Sequence, residues 1–175
     1  MILIAIGANL PARTGMAPLA TCEAAIVEIR AIPGLTMEGQ SPWYRSRAMP
    51  VSDQPDYCNG VIRLTGDIEP YALLRALQAI ELKFGRVRSL PNAARTLDLD
   101  MIDINGLIHD EPALITPHPR AHERAFVLRP LLDVAPDWRH PRLHQDAATL
   151  LAALPPQAIE PWHDTDAMIE VHSGL

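Results

Sequence analysis

Asp98-Leu99-Asp100 sets two carboxylates two residues apart. On a strand, residues i and i+2 share a face. Both acids would therefore converge on one side while Leu97, Leu99 and Met101 enter the core. Like charges that close repel unless a cation or solvent separates them. Mg²⁺ suits the pair, because it takes one or two carboxylates, keeps waters and completes its shell with substrate phosphates. A solvated sheet face would carry the same short pattern, so the motif alone leaves both readings open.

A run of basic residues leads into this motif. Between Glu81 and Asp98 lie Lys83, Arg86, Arg88 and Arg95, with no acid among them. Guanidinium groups grip phosphate bidentately. Arginines beside paired carboxylates describe a polyphosphate–metal site better than either element alone; surface arginines on a loop are the alternative. Gln78 and Glu81, at i and i+3 on the polar side of a helix, could read a nucleotide base or sugar, or form a solvated face. Thr116, His118, His122, Arg124 and Phe126 follow downstream. His118 and His122 have the i,i+4 spacing of metal ligands. Pro119 works against a regular helix there and no third ligand is evident, so zinc is not expected. His118 and Arg124 fit better as further phosphate contacts. The chain has no GxxxxGKS or GxxxxGKT loop, GxGxxG, GxSxG or HExxH, so nucleotide chemistry would need a different cradle.

These residues need elements to hold them. Ile2 to Ile6 is a short β-branched run stopped by Gly7-Ala8-Asn9, and reads as a buried strand. Residues 18–31 place Leu19, Cys22, Ile26 and Ile29 at helical spacing, ended by Pro33-Gly34. Residues 36–46 read as a strand, and 47–56 as a loop with two prolines. From Tyr57 to Thr65, Cys58, Ile62 and Leu64 point one way, with Tyr57, Asn59 and Arg63 opposite. Residues 69–84 form the clearest helix, with Pro70 in its first turn and Gly85 as its stop. Residues 96–104 are the last clear strand. The order β-α-β-β-α-β predicts an α/β (α+β) ferredoxin-like antiparallel sheet with two helices packed on one face. Beyond it, Phe126–Val134 reads as a strand or short helix and Gln145–Leu154 as a helix.

The 175 residues, 48% apolar and 21% charged, fit one globular domain, placed at residues 1–154, with 155–175 as a loosely attached tail. Fifteen Lys+Arg against 21 Asp+Glu leave a net charge of −6, which argues against a general nucleic-acid or anionic-membrane binder. Cys22 and Cys58 form no CxxC and read as buried reduced thiols. The N-terminus lacks a basic leader, and no apolar run approaches the ~20 residues of a membrane span. A cytoplasmic monomer, binding neither nucleic acid nor membrane, is the expectation.

Five segments together resemble one family. IAIGANL at 4–10, SDQPDYCNG at 52–60, QAIELKFGRVR at 78–88, RTLDLDMI at 95–102 and TPHPRAHERAFVLRPL at 116–131 are similar to the 6-hydroxymethyl-7,8-dihydropterin pyrophosphokinases of folate biosynthesis, over about residues 2 to 140. The resemblance implies a ferredoxin-like fold and transfer of a diphosphoryl group from the co-substrate ATP to the pterin hydroxymethyl oxygen, with release of AMP. It implies two Mg²⁺ ions on Asp98 and Asp100. It implies ATP contacts at Gln78, Glu81, Arg88, Arg95, Thr116, His118 and Arg124, with Arg86 in the catalytic loop beside Arg95. It implies pterin contacts at Gly7, Ser46, Met49, Tyr57, Asn59 and Phe126. The residues agree on physical grounds: Asn59 offers donor and acceptor to a pterin edge, and Phe126 a face for stacking. The loop at 89–94 lacks the Arg-Trp pair frequent in the family, and Arg47-Ala48 stands where a proline pair is common. The rival reading is an inactive ferredoxin-like module holding a nucleotide or RNA. Three Tyr, two Phe and the acidic balance argue against RNA. A two-metal nuclease would use Asp98 and Asp100 but leaves Tyr57 and Asn59 unexplained.

Overall fold

The computed structural model describes residues 1–87 and 91–163. The central sheet runs in the order β5 (Asp98–Ile104), β1 (Ile2–Ala8), β4 (Tyr57–Gly66), β3 (Tyr44–Ser46) and β8 (Ile159–Pro161), with β2 (Leu35–Gln40) also on β4. All of these pairs are antiparallel. Helices α1 (Pro18–Arg30) and α2 (Pro70–Lys83) make the two crossovers of the expected βαββαβ unit. The carboxylate of Glu69 caps α2 through the Tyr71 and Ala72 N–H groups, and Pro70 fills the first helical position. Gly85 ends it at a φ of 86°, a left-handed conformation that a side chain disfavours.

The strand expected over 36–46 is interrupted, because Pro42 cannot donate to a ladder. Ser41 bridges the gap: its N–H donates to the Val61 carbonyl and its Oγ accepts the Val61 N–H, both at 3.0 Å. Trp43 lies over Gly60, where a Cβ would come within 2.7 Å of the indole ring.

Apolar side chains alternate about the sheet. Ile2, Ile4, Ile6, Ile62 and Leu64 pack under α1 and α2. Leu3, Val61 and Ile102 face the opposite side, where α3 (Ala125–Val134) and α4 (Ala147–Ala153) cover them. The C-terminal additions therefore make a third layer over part of the sheet, and the face that carries Asp98 and Asp100 is only half open. The apolar stripe Val127, Leu128, Leu131 and Val134 makes 125–134 a helix despite Pro130. A further hairpin, β6 (His109–Glu111) with β7 (Leu114–Thr116), gave no pattern of its own in the sequence.

The stretch after Pro155-Pro156, expected to hang loose, is docked as far as it is described. Ile159, Glu160 and Pro161 pair with Ser46, Arg45 and Tyr44. Edge strand β3 has unpaired backbone groups on its outer side, and this pairing satisfies them. Residues 164–175 lie outside the described residues. Among the described residues no helix is long and apolar enough to cross a membrane.

A buried polar pair fastens the third layer. Trp138 Nε1 donates to Asp103 Oδ2 at 2.7 Å, and the Gly106 N–H donates to Asp103 Oδ1 at 2.8 Å. Asp103→Ala would leave a buried indole N–H without a partner and open a void. We expect a loss of about 2–4 kcal/mol in urea unfolding; a change under ~0.5 kcal/mol would show that the pair does not anchor the layer.

Candidate active site

The register of the sheet lays out the site. Gly7 on β1 faces Asp98 on β5 and Asn59 on β4, and Ala5 faces Asp100 and Val61. Acids and amide therefore lie on one surface, with only Gly7 or Ala5 between them. Gly7 keeps that floor shallow: a Cβ would stand 3.0 Å from Asn59 Oδ1. A cleft of about 230 Å³ opens above it, walled by Asp98, Asp100, Arg95, His118 and Arg124 on one side. Gly7, Met49, Tyr57, Asn59 and Phe126 line the other.

The acidic wall is held by cations. Arg95 Nη1 is 2.6 Å from Asp98 Oδ1, and Arg86 Nη1 is 3.0 Å from the same oxygen. Arg86 also bonds Glu81, whose Oε1 accepts the Leu99 N–H at 2.8 Å. Burial pushes the Glu81 carboxyl up, while the Leu99 N–H and Arg86 pull it back. Among the described residues Asp100 has only distant partners, His118 Nε2 at 3.6 Å and Arg124 Nη1 at 3.8 Å. Burial and then the Asp98 charge push the Asp100 carboxyl up to about 7, against the pull of Arg124 and Arg95. His118 is pushed down to about 4, first by burial and then by Arg124, so its ring is neutral at pH 7. Its Nδ1 accepts the Arg120 N–H at 3.1 Å. The ring proton is therefore assigned to Nε2, on the side of Asp100.

The opposite wall is apolar with one amide. Asn59 Nδ2 donates to Ser46 Oγ at 2.6 Å, and both residues are buried. That bond orients the Asn59 carboxamide. Among the described residues its Oδ1 has no donor. Phe126 presents its ring under the Arg124 guanidinium, 5.5 Å from the centroid. Burial raises the Tyr57 phenol, which donates to the Ala93 carbonyl at 3.3 Å.

Eleven of the sequence candidates converge here: Gly7, Ser46, Met49, Tyr57, Asn59, Arg95, Asp98, Asp100, His118, Arg124 and Phe126. Arg86 and Glu81 stand behind Asp98 rather than on the cleft wall. Gln78 is half-buried on α2 and Thr116 is buried in β7 with its hydroxyl unpartnered; neither lines the cleft. Arg88 lies outside the described residues.

Sequence reasoning missed Asn9. Its Oδ1 accepts the Arg95 N–H at 2.8 Å, while its own N–H donates to the Arg95 carbonyl at 3.0 Å. Its Nδ2 reaches Gln54 Oε1 and the Pro55 carbonyl. Gln54 Nε2 donates to the Asn92 carbonyl at 2.9 Å. The available signal was a polar residue ending an apolar strand inside IAIGANL. Arg47 and Asn92 also line the cleft.

Among the described residues no third His, Cys, Asp or Glu joins the carboxylates as a ligand cluster. Two carboxylates with room for phosphate oxygens and water are a donor set that fits Mg²⁺ and not zinc. The Asp100 shift has a sign that can be tested. Its folded value, about 7, lies above the ordinary 3.8, so its stabilising contribution is complete below about pH 4 and is lost as pH rises through 7. Asp100→Asn should therefore stabilise the metal-free protein at pH 8 by about 1–2 kcal/mol, allowing for the solvent that reaches its cleft side, and by nothing at pH 4. Added Mg²⁺ should raise the Tm of the parent at pH 8 and not that of the variant. Denaturant unfolding at the two pH values checks the first, and a pH-independent difference would rule out the assigned charge state.

The sequence pattern of 7,8-dihydro-6-hydroxymethylpterin-pyrophosphokinase (HPPK) matches residues 3–136. A 2-amino-4-hydroxy-6-hydroxymethyldihydropteridine pyrophosphokinase of Pseudomonas aeruginosa is 41% identical over 159 residues, 91% of this chain and 94% of that protein. Its counterpart from Synechocystis is 41% identical over 139 residues, 79% of this chain and 71% of that one. In fold, the chain is similar to a Plasmodium falciparum HPPK-DHPS structure with pterin and p-hydroxybenzoate. The TM-score is 0.63 at 11% identity, over 86% of this chain. This chain spans 42% of that longer protein. The chain therefore belongs to the 7,8-dihydro-6-hydroxymethylpterin-pyrophosphokinase family, and its cleft is where that family's chemistry has to be sought.

Proposed function

We propose that this enzyme transfers the terminal diphosphoryl group of ATP to the hydroxymethyl oxygen of 6-hydroxymethyl-7,8-dihydropterin, giving the pterin diphosphate and AMP for folate biosynthesis. The observation that carries this reading is a single cleft with two chemically different walls. One holds paired carboxylates among cations, which suits a metal-bound polyphosphate. The other holds an oriented carboxamide and two aromatic rings, which suits a flat heterocycle with hydrogen-bonding edges.

The residues take their parts from position. Arg95 and Arg124 reach the phosphates from either side of the acids, and neutral His118 offers its Nε2–H as a donor without adding charge. Asp98 and Asp100 would hold two Mg²⁺ ions, which would neutralise triphosphate charge and favour in-line attack at the β-phosphorus. Asn59 reads the pterin edge through its open Oδ1, Phe126 stacks on the ring, and Tyr57, Met49 and Gly7 bound the pocket. Ser46 fixes the Asn59 amide. Arg86 and Glu81 hold Asp98 in place from behind. Gln78, Thr116 and Arg88 serve the nucleotide on the strength of the family resemblance. Attack by the hydroxymethyl oxygen forms the new O–P bond as the bond from the β-phosphorus to the AMP oxygen breaks. Positioning and electrostatics carry the step. The described residues that line the cleft all fall within residues 1–154, which supports one catalytic domain there. Two free, buried cysteines support a cytoplasmic setting.

Incubation with ATP, Mg²⁺ and the pterin, followed by nucleotide separation, tests the reaction. AMP formed only when the pterin is present is expected. ADP would point to ordinary γ-phosphoryl transfer, and no pterin-dependent turnover would favour the binding-module reading. Asn59→Ala separates the two walls: it should weaken pterin binding by about 10- to 100-fold, the loss of one or two oriented hydrogen bonds, while leaving ATP affinity within about threefold. Equal losses for both ligands, measured by equilibrium binding, would mean that the pterin wall is misassigned.

A further inference from the structure

Arg124 sits where α3 would ordinarily carry a Ser, Asp or Asn cap. Its φ of −122° and ψ of 109° are those of a cap residue, yet its own side chain makes no capping bond. The guanidinium is used elsewhere, beside Asp100 and over the Phe126 ring. The first N–H groups of α3 need an acceptor from outside the helix. Gln157 supplies it from 32 residues downstream: its Oε1 accepts the Ala125 N–H at 2.8 Å. Its Nε2 donates to the Glu123 carbonyl at 2.9 Å. One carboxamide thus grips the backbone on both sides of Arg124.

The same segment is pinned at its other end. Ile159 pairs with Ser46, and the Trp162 N–H donates to the Trp43 carbonyl at 2.9 Å. Ser46 in turn accepts from Asn59. Residues 157–162 therefore tie the strand behind the Asn59 amide to the turn that presents Arg124 and Phe126. Gln157 also lines a small hollow with Phe126, Met49 and Val51. Residues 157–162 lie beyond the family-matched stretch.

We propose that Gln157 is a positioning residue for diphosphoryl transfer, its carboxamide setting Arg124 against Asp100 and Phe126 against the pterin. The inference rests on the pterin pyrophosphokinase reading. Its physical reason is that an error of about 1 Å in a group at the reacting centre can cost ~100-fold in rate, and the Arg124 side chain makes no capping bond, so the Gln157 carboxamide is what fastens the peptides on either side of it.

Four variants of the chain test it. Gln157→Met keeps the side-chain volume and removes both hydrogen bonds. Gln157→Glu keeps the acceptor and loses the donor. Arg124→Ala with and without Gln157→Met closes a double-mutant cycle. Initial rates are measured with ATP, Mg²⁺ and the pterin, and thermal melts are run alongside. Gln157→Met should lower kcat/KM about 10-fold, with the Tm still well above the assay temperature, and Gln157→Glu should fall between it and the parent. In the Arg124→Ala background, Gln157→Met should cost only about threefold, because the part of its effect that runs through Arg124 is gone and the part through Phe126 remains. A kcat/KM for Gln157→Met within twofold of the parent would overturn the proposal, as would an undiminished 10-fold loss in the Arg124→Ala background. Absence of AMP with the parent chain would overturn the functional reading itself and this inference with it.

Discussion

Two carboxylates on one face of β5 impose a condition that the rest of the cleft satisfies. Asp98 and Asp100 repel each other, and their burial makes the repulsion worse. Arg86 and Arg95 converge on Asp98 at 3.0 and 2.6 Å. Among the described residues Asp100 has no such partner at short range, and its carboxyl rises to about 7. The asymmetry is useful. One acid is fixed by two arginines at 3.0 and 2.6 Å, and the other has its described cations at 3.6 and 3.8 Å, which is the difference the proposed metal role rests on. Arg124 and His118, at 3.8 and 3.6 Å, are close enough to meet phosphate and too far to quench the carboxylate.

Holding those cations in place is a backbone problem. Asn9 makes reciprocal bonds to the N–H and carbonyl of Arg95, which fixes the residue that bonds Asp98. Through Gln54 and Tyr57 the same network links the loop after β3 to the segment at 92–95. Both loops line the cleft, so a shift in one is felt in the other. The strained-looking features of the sheet have the same purpose. Gly7 keeps the floor between acid and amide free of a side chain, and Ser41 restores the ladder that Pro42 interrupts. Order is concentrated around the phosphate wall and the Asn59 amide, where catalysis by positioning requires it.

The third layer changes how the fold should be understood. A βαββαβ sheet alone would leave the face with Asp98 and Asp100 open to water. α3 and α4 cover one half of it through Leu3, Val61 and Ile102, and the turn before α3 brings Arg124 and Phe126 to the border. Trp138 and Asp103 fasten that layer to β5 itself. The cleft-facing and layer-fastening acids are thus neighbours on one strand. A register irregularity opposite Leu3 and Ile4 puts Asp103 on the covered side without moving the Asp98–Asp100 pair.

A period of 3.6 marked α1 and α2, which bury one stripe, alternation marked β4, and a continuous apolar run marked β1, which is covered on both faces. The Asp98/Asp100 pair was legible because a strand sets i and i+2 side by side wherever it folds. The resemblance carried the pterin residues, which lie far apart in sequence and have no local pattern of their own. Phe126–Val134 stayed ambiguous, since a short apolar run with an internal Pro130 fits strand or helix until a neighbouring surface chooses. Asn9 and Gln157 were not legible, because an amide's partners are backbone groups 86 and 32 residues away, and no spacing rule reports on them. Nor does residue type reveal that Asp98 is paired while Asp100 is left open. Local chemistry and periodicity belong to the chain itself; which carboxylate is paired with arginines, and which distant amide grips the backbone on either side of Arg124, depends on burial and long-range packing that arise only when the layers close.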